Sequence, residues 1–239
     1  MSESYARKYA RKQGKLYEYN HPEPTERENF LSLKADDELG LIDIDTEELK
    51  DTLKTYIRAC IFGEAEDAGL VPMIWGAPGI GKTAILHEML NEVSEETGKQ
   101  LKVIETNLAT MMAEDFVMGV PNIDHTKIQD IVKSWLPMYE VTGDPEKDAK
   151  LDELANSAKG SQGGGVVFLD EFSRANKGVM DVLMKLIDER TIGEYKLGSK
   201  WAIVCAGNRM QDMRDADFHW ENAYARRVEQ YNFIPSFDS

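Results

Sequence analysis

Gly76-Ala77-Pro78-Gly79-Ile80-Gly81-Lys82-Thr83 sets glycines, a lysine and a threonine at the spacing G-x-x-x-x-G-K-[ST], the pattern of a phosphate-binding (Walker A) loop. The residue types explain the chemistry. Glycines put no side chain in the way of an anion, and they let successive backbone N–H groups turn inward as a nest. A helix starting at the end of the loop adds its N-terminal N–H groups to the same anion. Lys82 is then placed to reach the β- and γ-phosphates, and the Thr83 hydroxyl to coordinate Mg2+. Gly76, Ala77, Pro78, Gly79, Ile80, Gly81, Lys82, Thr83 and Ala84 are the expected contacts to the nucleotide.

A second run completes this chemistry. Val166-Val167-Phe168-Leu169-Asp170-Glu171 is an apolar stretch ending in two acids, the Walker B form. Asp170 is expected to hold Mg2+, making it a nucleotide-site residue and, with Thr83, a metal residue. Glu171 is expected to polarise the attacking water. A third run, Trp201-Ala202-Ile203-Val204-Cys205-Ala206, ends in Gly207-Asn208. An amide at that point can hydrogen-bond the γ-phosphate or the water, the sensor 1 role. ATP is favoured over GTP because the guanine-reading Asn-Lys-x-Asp is missing: Asn176-Lys177-Gly178-Val179 lacks the aspartate. Nothing in the sequence reads adenine directly.

These residues need strands that end at one place. Val71–Trp75, Leu101–Glu105, Val166–Leu169, Trp201–Ala206 and Tyr231–Ile234 read as strands, alternating with helices at about 82–94 and 177–189. That alternation predicts a parallel sheet with both faces covered, whose ligands bind beyond the carboxyl ends of the strands. Upstream, Asp45 and Glu48 form a capping-box pattern ahead of a helix with Leu49, Leu53, Tyr56, Ile57, Cys60 and Ile61 on one face. Residues 1–44 read as an arm, basic in its first part, with Tyr5-Ala6-Arg7-Lys8 nearly repeated at Tyr9–Lys12 and a helix-breaking His21-Pro22-Glu23-Pro24. Residues 138–165 read as an insertion holding a short helix and a flexible Gly163-Gly164-Gly165 return.

Composition bounds the class. With 239 residues, 42% hydrophobic and 30% charged, the chain suits one sizeable soluble domain. A net charge of −15 disfavours non-specific binding to nucleic acid. No apolar run is long enough to span a membrane, and the polar N-terminus is not a signal peptide. Cys60 and Cys205 lie outside any redox or metal spacing, and the four histidines form no ligand pattern. A reduced core thiol at Cys205 and a cytoplasmic location are expected.

Taken together, the motifs resemble the AAA+ superfamily over residues 45–237, and more closely its MoxR-like branch. The finer likeness rests on Asp170-Glu171-Phe172-Ser173-Arg174-Ala175-Asn176, similar to the branch's D-E-x-x-R-A turn, and on the hairpin-like Ile192–Leu197. It rests also on Met112–Pro121 and on the Trp135-Leu136-Pro137 turn. The resemblance implies a three-layer α/β P-loop fold with a five-stranded parallel sheet. It implies a homo-oligomeric ring, usually a hexamer, with ATP between neighbours and an arginine supplied across each interface; register favours Arg227, with Arg226 in reserve. It further implies chaperone-like remodelling, often with a von Willebrand factor A protein as partner. The branch continues into a helical lid where this sequence ends at Asp238-Ser239, so no lid is expected from this chain. Two other readings remain: a nucleotide-dependent scaffold with little turnover, and an AAA+ subunit acting on nucleic acid.

Overall fold

The computed structural model describes residues 41–63, 70–121, 128–209 and 227–235. The tyrosine repeat of the arm and Arg226 lie outside the described residues. In chain order the main elements are β1 (Ile42–Ile44), α1 (Thr46–Phe62), β2 (Val71–Trp75), α2 (Lys82–Thr97), β3 (Lys102–Asn107), β4 (Val117–Pro121) and β5 (Ile128–Val132). There follow β6 (Met138–Glu140), α3 (Pro145–Asn156), β7 (Gly165–Asp170), α4 (Lys177–Glu189), β8 (Thr191–Ile192), β9 (Tyr195–Leu197), β10 (Trp201–Gly207) and β11 (Val228–Phe233).

The central sheet has six strands in the order β1-β11-β2-β10-β7-β3. Every neighbouring pair in it is parallel. The expected five strands are all present, and β1 adds a sixth at the edge, drawn from the last residues of the expected arm. Its pattern explains the omission: Ile42-Asp43-Ile44 is too short to stand out as a strand run and carries an acid at its centre.

Successive residues of the buried strands face opposite layers, as pleating requires. Val166, Phe168, Val204 and Ala206 pack with Leu49, Leu53 and Ile57 of α1 and with Ile85, Leu86 and Met89 of α2. Val167, Leu169, Ile203 and Cys205 pack with Val179, Leu183 and Leu186 of α4. Cys205 is fully buried, which pushes its thiol well above the ordinary range and suits the expected core thiol. Helix α1 starts at the expected capping box: Glu48 N–H donates to Asp45 Oδ1 and Asp45 N–H to Glu48 Oε2, both at 3.0 Å. Lys50 pairs with Glu88 and Arg58 with Glu96 along the seam to α2. Among the described residues, no helix is long and apolar enough to cross a membrane.

The expected insertion is stitched into the molecule. Strand β6 pairs with β9, forming a three-stranded antiparallel sheet with β8. Asn156, at the end of α3, is buried; its Oδ1 accepts from Lys200 N–H at 2.8 Å and its Nδ2 donates to Ser199 Oγ at 3.1 Å. Trp201 Nε1 donates to the Ala155 carbonyl at 3.0 Å. The α3 segment is thereby fastened to the start of β10, the strand that leads into Asn208.

The glycine return is not the flexible joint expected. Gly165 already belongs to β7 and pairs with both Lys102 and Trp201. A Cβ on Gly164, whose φ is +96°, would lie 1.7 Å from the Lys200 carbonyl oxygen. Gly164 and Gly165 each have another backbone running against them, and at Gly164 the left-handed φ also excludes most side chains. Gly164→Ala should therefore lower stability by about 2 kcal/mol or more. Thermal or urea unfolding checks this, and an unchanged midpoint would contradict the close approach.

Candidate active site

The register of the parallel strands gathers the predicted residues. Gly207 pairs with Trp75, so β2 and β10 end side by side, leading into Gly76 and Asn208. Cys205 pairs with Leu169, which sets Asp170 and Glu171 beside the end of β10. Asn107, the last residue of β3, pairs with Asp170. Gly76 N–H also donates to the Gly207 carbonyl at 3.2 Å, locking the start of the loop to the sensor strand.

Within the loop, Gly79 and Gly81 adopt left-handed φ of 74° and 97°. A Cβ at either position would meet nothing within 4 Å, so conformation rather than crowding demands glycine there. Alternating backbone handedness of this kind turns N–H groups to one side, which is how a nest is built. Gly81 caps α2 without any side-chain hydrogen bond, and no acid occupies the first turn of the helix. The helix terminus thus carries no side-chain cap, the arrangement that anion-binding helix N-termini use.

Lys82, 8% exposed, donates from Nζ to the Gly76 carbonyl at 3.0 Å, the Ala77 carbonyl at 3.1 Å and Asn208 Oδ1 at 3.3 Å. Asn208 in turn donates from Nδ2 to Glu171 Oε2 at 3.1 Å. Three residues from three separate sequence runs thus form one hydrogen-bonded chain. Because Lys82 can only donate and the carboxylate accepts, the Asn208 amide has one orientation that serves both.

Glu171 sits at φ 55°, ψ 35°, a left-handed conformation uncommon outside glycine. The turn it makes carries the chain abruptly from β7 into the Phe172–Arg174 3-10 turn and leaves the carboxylate facing Asn208. Its N–H is held by Asp170 Oδ1 at 2.7 Å. Strain of this type costs about 1–3 kcal/mol and persists where the surroundings impose it.

The Thr83 hydroxyl and the Asp170 carboxylate are hard oxygen donors at the head of α2 and the end of β7. A Mg2+ site of the phosphate-binding kind takes few protein oxygens and fills its shell from phosphates and water, so this donor set fits that metal. The structure does not bring Arg227 to these residues. Val228 pairs with Val71 at the start of β2, so Arg227 lies at the opposite end of the sheet. The five residues of β2 separate it from the loop by roughly 16 Å. Within the chain, Arg227 Nε donates to Asp188 Oδ2 at 3.0 Å.

Two contributors were not legible beforehand. Ser173 Oγ, buried, accepts from Asn208 N–H at 3.2 Å and so ties the Walker B turn to the sensor residue. Arg209, immediately after Asn208, is buried as well. Ser173 was visible only as part of a family-like turn, and no spacing rule singles out either residue.

Among solved structures, the chain resembles a candidate ATPase of Cytophaga hutchinsonii (14% identity, 98% of this chain and 56% of that one, TM-score 0.46). It also resembles the RuvB Holliday junction branch migration motor of Thermotoga maritima (19% identity, 80% and 45%, TM-score 0.39). A third likeness is to a full-length MCM homolog from Methanopyrus kandleri (16% identity, 90% and 41%, TM-score 0.46). The chain thus spans between 41% and 56% of these proteins' lengths. No curated protein matches it in sequence. A family model does: that of the ATPases associated with various cellular activities covers residues 72–229, from within β2 to within β11, and on that match the chain belongs to the AAA family.

Proposed function

We propose that this chain binds ATP with Mg2+ and hydrolyses it as one subunit of a ring, working as a MoxR-like remodelling motor on a protein partner. The observation that carries the reading is the Lys82–Asn208–Glu171 chain at the ends of β2, β10 and β7. A pure binding site has no use for an acid connected through an amide to the phosphate-loop lysine.

The roles follow from the donors. Phosphate oxygens are stronger acceptors than the neutral carbonyls of Gly76 and Ala77, so a triphosphate in the nest draws the Lys82 ammonium to itself. Thr83 and Asp170 would hold Mg2+, which would supply neutralising charge to the triphosphate. Glu171 takes a proton as water oxygen bonds to the γ-phosphorus, while the bond to the β,γ-bridging oxygen breaks and ADP departs with those electrons. Asn208 holds the carboxylate and the γ-phosphate in fixed relation. Because Arg227 lies at the far end of its own sheet, the phosphate it can serve is a neighbour's, which supports the head-to-tail ring. Asp188 holds its Nε meanwhile. A von Willebrand factor A protein is the partner suggested by the MoxR-like turn at Asp170–Asn176.

Lys82→Ala should abolish ATP binding, whereas Glu171→Gln should keep Mg·ATP bound while phosphate release falls by about 10² or more. Fluorescent-nucleotide binding and steady-state phosphate release separate the two effects. Wild-type affinity in Lys82→Ala, or equal loss of binding in both, would overturn the assignment.

Arg227→Ala should lose about 10³-fold in rate with its own pocket still binding ATP, since a finger acts on the neighbour's γ-phosphate. Mixed with Glu171→Gln, it should regain activity at interfaces that combine one sound pocket with one sound finger. Arg226→Ala run in parallel tests the register. No rescue by either variant, in mixtures shown to co-assemble, would remove the finger.

A further inference from the structure

We infer that Arg209 is a positioning residue for Asn208, and that Asp43, on the edge strand β1, sets Arg209 through Asn232. The inference rests on the reading of Asn208 as the group that faces the γ-phosphate and the attacking water.

Asp43 pairs in register with Asn232, Asn232 with Trp75, and Trp75 with Gly207, so a single row crosses β1, β11, β2 and β10 at their carboxyl ends. Along that row Asn232 Nδ2 donates to Asp43 Oδ1 at 3.1 Å, and Asn232 Oδ1 accepts from an Arg209 guanidinium N–H at 3.5 Å. Asn232 is fully buried and Arg209 is 5% exposed. The carboxylate of Asp43 can only accept, so it fixes which end of the Asn232 amide turns toward the arginine. Arg209 follows β10 and Asn232 lies on β11, and the strand between those two in the sheet is β2, which carries the phosphate loop.

Asn208 is the residue next to this anchor. Its own N–H is held by Ser173 on the Walker B side, and its amide bridges Lys82 and Glu171. The Asn208 N–H is thus held by Ser173 toward β7, and the side chain of the next residue reaches Asn232 toward β11. A buried guanidinium is costly to leave without its acceptors, and Asn232 Oδ1 is one of the groups that hold it. Loosening it moves the Asn208 amide relative to Glu171 while leaving the loop N–H groups and Lys82 to hold the triphosphate. The loss falls on the rate, where small misplacements of a catalytic group matter most, and not on nucleotide affinity.

The test compares full-length Arg209→Met, Asn232→Leu, Asp43→Leu, the Arg209→Met/Asn232→Leu double variant and Arg209→Lys, with Asn208→Ala alongside. Phosphate release, Mg·ATP affinity and thermal unfolding are measured for each. The three single losses should lower kcat by roughly 3- to 30-fold, with KM for ATP within about twofold of the unaltered chain. The double variant should be no slower than the slower single one, because both break the same link. Arg209→Lys, which keeps the cation on the side facing Asn232, should recover part of the rate, and this arm decides the matter if Asn232→Leu or Asp43→Leu does not fold. Multiplying losses in the double variant, a Lys variant as slow as the Met variant, or lowered stability with kcat unchanged would each overturn the inference. If Asn208→Ala hydrolyses ATP at the unaltered rate, the reading of Asn208 fails and takes the inference with it. Impaired Asn208→Ala beside normal Arg209→Met removes the inference alone.

Discussion

A buried ammonium at the ends of three parallel strands organises the molecule. Lys82 lies almost out of solvent, where a cation is tolerated only with acceptors close by. Among them are two loop carbonyls and an amide, each neutral and weaker than the phosphate oxygens that a nucleotide would bring. For that arrangement to exist, the loop must begin where β2 ends, α2 must start immediately after it, and β10 must deliver Asn208 alongside. The hydrogen bond from Gly76 N–H to the Gly207 carbonyl makes the first and last of these conditions a single constraint.

The sheet supplies that geometry because its strands are parallel and covered on both faces. Parallel strands put all their carboxyl ends on one side, and the layers of α1 with α2 and of α4 hold the strands in register. The segments that lie outside this three-layer core also bear on it. The α3 segment is bonded to the start of β10 through Asn156 and Ala155, and Gly164 lets the chain approach Lys200 closely enough to enter β7. Placement of Asn208 and Glu171 is thus fixed from both ends of their strands.

What could be read from residues alone was the part in which type and spacing are themselves the chemistry. The phosphate loop announces itself because glycine, lysine and threonine are each required where they stand, and the buried strands because they are continuous apolar runs. The edge strand β1 could not be read, since three residues with a central aspartate give no periodic signal. Gly164 and Gly165 read as part of a joint because a joint and a close backbone approach have the same composition; the Lys200 and Lys102 carbonyls distinguish them. Ser173 and Arg209 acquire their roles from strand register, which joins residues far apart in the chain: Asn232 meets Asp43 across 189 positions. The Asp188 partner of Arg227 is of the same kind. Long-range pairing of this sort leaves no local trace in a single sequence.

Nucleotide binding at this site requires Lys82 to exchange carbonyl partners for phosphate, with Asn208 and Glu171 already in line. A structure of the chain with Mg2+ and a non-hydrolysable ATP analogue tests this most directly. The β- and γ-phosphates should be seated against the N–H groups of Gly79, Gly81 and Lys82, the Lys82 Nζ moved from the Gly76 and Ala77 carbonyls onto phosphate oxygen, and the Asn208 amide within hydrogen-bond reach of the γ-phosphate. A nucleotide bound elsewhere, with Lys82 still bonded to both carbonyls, would contradict it.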